Sequence, residues 1–153
     1  LDAVTRELFR ELRTDVPQGG LRWDKYWEIV GHARDVFGPW KVNCHTLVGI
    51  GETDRDLAAI FVRLRNREIF SYLFSFNPEP DSRLGNAPRA SQTRWRRVQL
   101  LKHLIEIEHM DPALCRFDDA GALVGLGLSR ERLREFAWTG VPFMTNGCPG
   151  PKG

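Results

Sequence analysis

The hydrophobic pattern changes at residues 41–57, which read KVNCHTLVGIGETDRDL. The β-branched and apolar run from Lys41 to Ile50 is too short and too closely flanked by glycine for a helix, so it predicts a buried strand. Thr53 is placed to cap the next helix, with Asp56 returning the bond as in a capping box. That helix has an apolar stripe at three- and four-residue spacing, formed by Leu57, Ile60, Phe61 and Leu64. The stretch therefore predicts a strand that leads directly into a helix.

The same pattern follows once more along the chain. Residues 69–77, IFSYLFSFN, alternate between an aromatic face and a mostly polar face, and Ser91 begins a helix that we expect to run to about Glu108. Two strand–helix units in succession predict a parallel sheet. We expect the polar face, with Ser71, Ser75 and Asn77, to look into a barrel lumen while the aromatic face packs under helices. An antiparallel strand with its polar side in water remains the alternative.

Other segments flank these two units. Thr5 is placed to cap a short helix, and apolar spacing predicts another helix over 23–37, stopped by Gly38. Beyond Asp111 the pattern is looser, with a hairpin-like FDDAGALVGLG, a helix over about 130–138 and the tail VPFMTNGCPGPKG. We therefore predict an α/β part over residues 1–110 and a small C-terminal extension over 111–153.

The composition excludes several classes of protein. The 153 residues include 22 Lys and Arg against 20 Asp and Glu, and a net charge of +2 is too small for a polycation that binds by charge alone. With 42% hydrophobic residues the chain is able to bury a core. No apolar run approaches the roughly 18 residues of a membrane span, and no signal peptide is recognisable, so we expect a cytoplasmic protein. Cys44, Cys115 and Cys148 cannot all pair with one another, which favours reduced thiols.

Two candidate ligand-binding ends follow from the predicted sheet, because reacting groups in a parallel barrel sit where strands end. After the first strand, two glycines allow a ligand to approach the backbone, and Glu52 stands at the strand exit. A plain strand-to-helix turn is the alternative. His45 shares a face with Leu47 and Gly49, so it lines the same cavity if Gly49 faces a ligand; a structural histidine remains equally open. The second end is residues 75–82, SFNPEPDS.

Four motifs in order resemble the C-terminal half of a radical S-adenosylmethionine protein of the biotin synthase-like and lipoyl synthase-like subgroup. They are HTLVGIGET (45–53), LFSFNPEPDSRL (73–84), RWRRVQLLKHLI (94–105) and GVPFMTNGCPG (140–150). The resemblance implies a partial TIM-type (β/α) barrel and a [4Fe–4S] cluster that cleaves S-adenosylmethionine to a 5′-deoxyadenosyl radical. That radical abstracts hydrogen, in some members before sulfur insertion by a transferase reaction. The sequence lacks the C-x3-C-x2-C cluster loop, so we expect the cluster ligands in an N-terminal half outside these residues, and the chain alone to be inactive.

The resemblance also implies cofactor-binding residues at the first strand. Residues 45–52 are similar to the family's fifth-strand motif G-x-I-x-G-x-x-E, with Leu47, Gly49 and Glu52 in register and His45 in place of the first glycine. In the family this strand passes along the adenosyl group. Gly49 and Ile50 are therefore the better candidates for direct contact, and Glu52 is expected to hold the turn.

Further positions resemble the family at neighbouring strand ends and in the tail. Asp2 is similar to the carboxylate at the end of the fourth strand, and Asn77 and Pro78 to the end of the sixth, near adenine or substrate. The tail is similar to endings that read T-S-G-C-P-x-C, but Pro151 replaces the second cysteine. Cys148 is thus either a metal ligand or an exposed cysteine, since one thiolate does not hold a cluster without other ligands.

The expected partners follow from the same resemblance. It implies a small-molecule or carrier-bound acyl substrate and an electron donor such as ferredoxin or flavodoxin. Arg94, Arg96 and Arg97 flank Trp95, whose place in the apolar stripe predicts an ordinary solvated helix face, so we expect no nucleic-acid partner. The competing hypothesis is a non-catalytic half-barrel that works only with a partner chain. An unpaired strand edge in either case predicts self-association of the isolated chain.

Overall fold

A computed structural model of the chain describes residues 2–12 and 22–144. Its elements along the chain are α1 (Arg6–Leu12), α2 (Trp23–Phe37), β1 (Asn43–Val48), α3 (Asp54–Arg65), β2 (Phe70–Ser75), α4 (Gln92–Glu106), β3 (Arg116–Phe117), β4 (Leu123–Gly125) and α5 (Arg130–Trp138). Short 3-10 helices lie at Pro112–Leu114 and Val141–Phe143. Among these helices none is long and apolar enough to cross a membrane.

The centre of the fold is a parallel pair of strands. β1 and β2 pair in register from Asn43 opposite Phe70 to Val48 opposite Ser75, and α3 connects them. The backbone N–H of Phe76 continues the ladder to the carbonyl of Val48, at 2.9 Å. This arrangement confirms the predicted mixed α/β class and the parallel strands. A separate antiparallel pair, β3 and β4, forms the predicted hairpin.

The helix starts follow the capping residues predicted from sequence. The side chain of Thr53 accepts a bond from the backbone of Asp56 at 3.1 Å, and the Asp56 carboxylate accepts one from the backbone of Thr53 at 2.9 Å. Ser91 caps α4 and Thr5 caps α1 in the simpler one-bond form. Each cap satisfies a backbone N–H that the helix itself leaves without a partner, which explains why these helices begin where they do.

Both long helices after the strands cover the same face of the sheet. α3 and α4 pack against each other and turn their apolar stripes inward. The largest fully buried side chains are Phe61, Leu57, Leu64, Ile69, Leu101, Leu104, Ile105, Val48 and Val98. Burial of a side chain of this size contributes about 1.5–3 kcal/mol each, so this layer is the main source of stability.

The prediction for the two faces of β2 is wrong. Ser71 lies on the helix-covered face, fully buried, and its hydroxyl hydrogen-bonds with the Thr46 hydroxyl at 3.1 Å. Ser75 and Asn77 are exposed to solvent around the end of the strand instead of facing an enclosed lumen. The aromatic side chains of β2 lie opposite Asn43, His45 and Leu47, on the sheet face away from α3 and α4. Small, mutually bonded hydroxyl side chains let the two helices approach the sheet closely, whereas three aromatic rings would hold them off.

The segments after α4 pack back onto the helices. The Val141–Phe143 turn rests on α4, where the Gln99 side-chain amide donates to the carbonyl of Phe143 at 3.2 Å. The β3–β4 hairpin reaches the other end of the layer and contacts the start of α3 through a bond from the backbone N–H of Arg55 to the carbonyl of Gly121, at 3.0 Å. The predicted extension therefore covers the flank of α4 and the N-terminal end of α3.

Glu106 is a buried carboxylic acid at the end of α4. One oxygen accepts a bond from the backbone N–H of Ser71 at 3.1 Å, and the Lys102 ammonium lies 3.0 Å from the other. Burial raises the pKa of Glu106 to about 7, against the opposing effects of Lys102 and of the Ser71 N–H. Glu106 thus satisfies the backbone N–H of Ser71 at the outer edge of β2. Its burial, however, disfavours the ionised form of the carboxyl group.

This acid makes stability depend on pH. Because the pKa of Glu106 in the folded protein is above the ordinary value of 4.5 for a glutamate, its contribution to stability is fully present below about pH 4.5 and is lost as pH rises through 7. The loss amounts to roughly 3 kcal/mol at ~1.4 kcal/mol per pKa unit. We expect Glu106→Gln, whose amide oxygen still accepts from Ser71, to remove this fall in urea-unfolding free energy. Glu79→Gln, on an exposed loop, is the control and keeps the wild-type pH profile. Parallel profiles for Glu106→Gln and wild type would contradict the prediction.

Candidate functional site

The carboxyl ends of the two parallel strands bring most of the predicted residues to one edge of the sheet. Gly49 and Ile50 follow β1, and Asn77 and Pro78 follow β2, so both pairs leave the sheet at the same edge. Asp2 joins this edge from the other side of β1, where its carbonyl accepts a bond from the backbone N–H of Leu47 at 3.0 Å. The segment at Asp2 therefore occupies the position of the end of a neighbouring strand.

The turn after β1 is built around the carboxylate of Glu52. Its two oxygens accept bonds from the backbone N–H groups of Gly49 at 2.8 Å and Ile50 at 2.9 Å. The Glu52 side chain is fully buried. These bonds satisfy two backbone donors that the ladder no longer reaches, so Glu52 fixes the shape of the strand end.

Gly49 is required by the backbone of this turn. Its φ of +110° lies in the region that favours glycine, and a Cβ there would meet the backbone nitrogen of Ala90 at 3.3 Å and Phe76 at 3.5 Å. The loop after β2 thus packs directly on Gly49. Any larger residue would strain the turn whether or not a ligand is bound, so a substitution at Gly49 does not discriminate between a binding role and a structural one.

Arg94 neutralises the buried carboxylates of this turn, contrary to the prediction that it lies on a solvated face. Its guanidinium donates to the Glu52 carboxylate and carbonyl at 2.9 and 2.8 Å, and to the Asp54 carboxylate at 2.9 Å. Burial by itself would lower the pKa of Arg94, but Asp54 and Glu52 outweigh it and raise that pKa. Arg96, two residues on, is exposed as predicted. Helical period separates apolar from polar positions, but it does not reveal an ion-pair partner 40 residues away.

Asp54 links the same cluster to the C-terminal hairpin. One carboxylate oxygen faces Arg94, and the other accepts a bond from the backbone N–H of Leu123 at 3.1 Å. Gly121 packs so closely on Thr53 that a Cβ would lie 2.8 Å from the Thr53 side chain. The hairpin therefore closes over the start of α3, one turn away from the candidate site. The sequence does not single out Asp54, because an acidic residue in the first turn of a helix is expected from the helix dipole alone and does not indicate a distant partner.

The sheet face turned away from the helices presents an aromatic surface next to this edge. The His45 imidazole lies parallel to the Tyr72 ring, with centroids 6.3 Å apart, and 4.9 Å from the centroid of Phe74. His45 and Phe74 are exposed, and Tyr72 is half-buried. We call these three residues the aromatic patch. The alternation of β2 did predict an aromatic face, but it does not tell which side of the sheet the helices cover.

The cysteines within residues 2–12 and 22–144 do not form a metal site. Cys44 is buried on the helix side, opposite to His45, and accepts a bond from the Tyr26 hydroxyl at 3.6 Å. Burial raises its thiol pKa, and that of Cys115 likewise. No cluster of three or more His, Cys, Asp or Glu side chains suited to a metal occurs in this part of the chain. Cys148 lies outside the residues that the structure describes.

Comparisons with known proteins give no match. A scan against protein-family models finds no family for the chain, and searches of curated proteins and of solved structures find no similar protein. The radical S-adenosylmethionine resemblance thus rests on the motifs quoted above and stays a prediction.

The Arg94 cluster makes a testable contribution to stability. Replacing Arg94 by Met leaves Glu52 buried without its cation and leaves Asp54 with only Arg97, whose guanidinium lies 3.9 Å from it. Removing one partner of a buried pair costs roughly 3–5 kcal/mol. We expect Arg94→Met to lower the unfolding free energy by about 3 kcal/mol, because both carboxylates keep their backbone donors. Hydrogen exchange at Gly49 and Ile50 should accelerate in parallel. Arg134→Met, at an exposed arginine of α5, is the matched control, with an expected change within about 0.5 kcal/mol. Equal effects of the two variants would refute the assignment.

Proposed function

We propose that the chain is the C-terminal part of a biotin synthase-like radical S-adenosylmethionine enzyme. In this proposal the adenosyl group of the cofactor lies at the carboxyl edge of β1 and β2. The observation that supports it is the parallel, in-register pairing of the strands, which places Gly49 and Ile50 beside Asn77 and Pro78 at a common edge. Antiparallel or distant strands would have been incompatible with such a site.

The residues at this edge suit a nucleoside. The aromatic patch offers a flat, partly exposed surface against which adenine can stack, and base–aromatic stacking is worth about 1–3 kcal/mol. The Glu52 turn holds the backbone at the end of β1 in a fixed shape beside it. The chain's own task in this proposal is to bind and orient the cofactor; the substrate and the electron donor would be those of the family, an acyl or small-molecule substrate and a ferredoxin or flavodoxin.

The described residues do not fit an iron–sulfur cluster. Cys44 is buried beneath the sheet with a raised thiol pKa, and Cys115 is remote in sequence, so neither offers a ready thiolate beside the aromatic patch. A [4Fe–4S] cluster needs several thiolate ligands. The proposal therefore requires that polypeptide outside the 153 residues supply the cluster ligands, and it gives the chain no step in cleaving the cofactor beyond holding it.

The experiment uses the whole protein encoded with this segment, purified without oxygen. We expect on the order of four iron and four sulfide per cluster, and binding of S-adenosylmethionine in a calorimetric titration. His45→Leu should weaken that binding about tenfold, because the lost stacking is worth ~1.4 kcal/mol or more. His32→Leu, at another exposed histidine, should stay within about twofold.

The outcomes separate the parts of the proposal. A whole protein that contains no iron and does not bind S-adenosylmethionine overturns the assignment to the family and favours the half-barrel without catalysis. Binding that His45→Leu leaves unchanged overturns the role of the aromatic patch.

A further inference from the structure

A cavity of about 370 Å³ lies between the outer edge of β2, the helix α4 and the Val141–Phe143 turn. We call it the α4 cavity. Its lining is mostly apolar and includes Trp95 and Pro142, with a few polar groups among them. Small-molecule sites in proteins have volumes of roughly 300–1,000 Å³ and the same kind of lining. The α4 cavity therefore has the size and the composition of a ligand site.

The strand wall of the α4 cavity carries backbone N–H groups without partners. The N–H of Phe76 bonds to β1, whereas the N–H of Ser71 bonds outward to the Glu106 carboxylate at 3.1 Å. Successive residues of a paired strand direct their N–H groups to opposite edges, so those of Leu73 and Ser75 also point outward. Neither of these two has a hydrogen-bond partner in the part of the chain that the structure describes. Both donors are thus available to a ligand oxygen.

The helix wall adds an ammonium group that is only partly neutralised. The Lys102 side chain is 16% exposed, and its one carboxylate partner among the described residues is Glu106, at 3.0 Å. Burial raises the pKa of Glu106 to about 7, so this partner is only partly ionised at neutral pH. An ammonium group has three donors, and Glu106 occupies one of them. A largely buried cation with too little negative charge beside it favours the binding of an anion.

Glu106 shows how a carboxylate is held at this edge. Its two oxygens lie between the outward N–H of Ser71 and the Lys102 ammonium. α4 runs antiparallel to β2, since its last residue contacts the start of the strand while its first turn contacts Glu52, beyond the end of β1. One helical turn back from Glu106, about 5.4 Å, is Lys102, and two residues on from Ser71, about 6.6 Å, is Leu73. Leu73 and Lys102 therefore lie at the same level and offer a second place for a carboxylate.

We propose that the α4 cavity binds a small aromatic carboxylate, whose oxygens accept from the Leu73 N–H and the Lys102 ammonium while its ring lies against Trp95 and Pro142. The charged end follows from the two donors. The ring follows from the remaining wall, where an indole and a proline ring present flat apolar surfaces to the cavity.

The α4 cavity is separate from the proposed nucleoside site. Tyr72 and Phe74 border both, but His45 and Glu52 do not line the cavity. This inference goes beyond the proposed function and does not depend on it. A whole protein that lacks iron, from a chain that binds an aromatic carboxylate here, would contradict the proposed function and leave this inference standing.

The first test is a titration of the isotope-labelled 153-residue chain with benzoate at about pH 7, followed by NMR. We expect a Kd on the order of 1 mM for so small a probe, with the largest amide shifts at Leu73 and Ser75. Benzamide has the same shape without the charge and should bind at least about tenfold more weakly. Cyclohexanecarboxylate has the same number of carbon atoms but no flat ring, and should bind about fivefold more weakly.

The second test measures benzoate binding to three variants. Lys102→Met should weaken binding about tenfold or more, because the cation is lost. Lys41→Met, at an exposed lysine before β1, is the matched control and should stay within about twofold. Glu106→Gln keeps an acceptor for the Ser71 N–H and removes the competing negative charge, so it should bind benzoate as tightly as the wild type or more tightly.

Different results would overturn different parts of the proposal. Benzamide that binds as tightly as benzoate would exclude the carboxylate contact, and cyclohexanecarboxylate that does so would exclude the preference for an aromatic ring. Equal weakening by Lys102→Met and Glu106→Gln would contradict the role of the ammonium group, since damage to the end of α4 would then explain both. Benzoate that does not bind, or that shifts amides elsewhere in the chain, would overturn the site itself.

Discussion

The carboxylate of Glu52 is the group on which the geometry of this protein depends. It accepts bonds from the first two backbone N–H groups after β1, and it is able to do so inside the protein only because Arg94 reaches it from α4. Two charges taken out of water need good geometry and further hydrogen bonds to be tolerated, and both are present here. The same guanidinium fixes Asp54, which in turn holds the C-terminal hairpin. The half-buried guanidinium of Arg94 thus connects the end of β1 and the start of α3 to α4, and through Asp54 to the extension.

Local sequence signals predicted the elements well and their environments less well. Thr53 with Asp56, Ser91 and Thr5 each mark a helix start because capping is a contact between residues a few positions apart. The faces of β2 were assigned the wrong way round, because alternation distinguishes two faces without saying which one the helices cover. Ser71 is buried through its bond to Thr46, 25 residues away, and that partner is not visible in the local pattern.

At the candidate site, too, the sequence predicts features that depend on local patterns but not those that depend on distant contacts. The edge shared by Gly49 and Asn77 follows from parallel strands, which the strand–helix alternation predicts. The roles of Arg94 and Asp54 do not follow, since they depend on contacts across about 40 and 69 positions of chain. The surroundings of the helices also differ in a way that composition does not reveal. The extension rests on α4, whereas Ile29, Val36 and Phe37 of α2 are exposed among residues 2–12 and 22–144.

The most direct test of this account is a crystal structure of the whole protein prepared without oxygen and with S-adenosylmethionine. The account predicts that the adenine ring lies in van der Waals contact with the aromatic patch and the ends of β1 and β2. A nucleoside bound elsewhere, or no nucleoside bound at all, would contradict it.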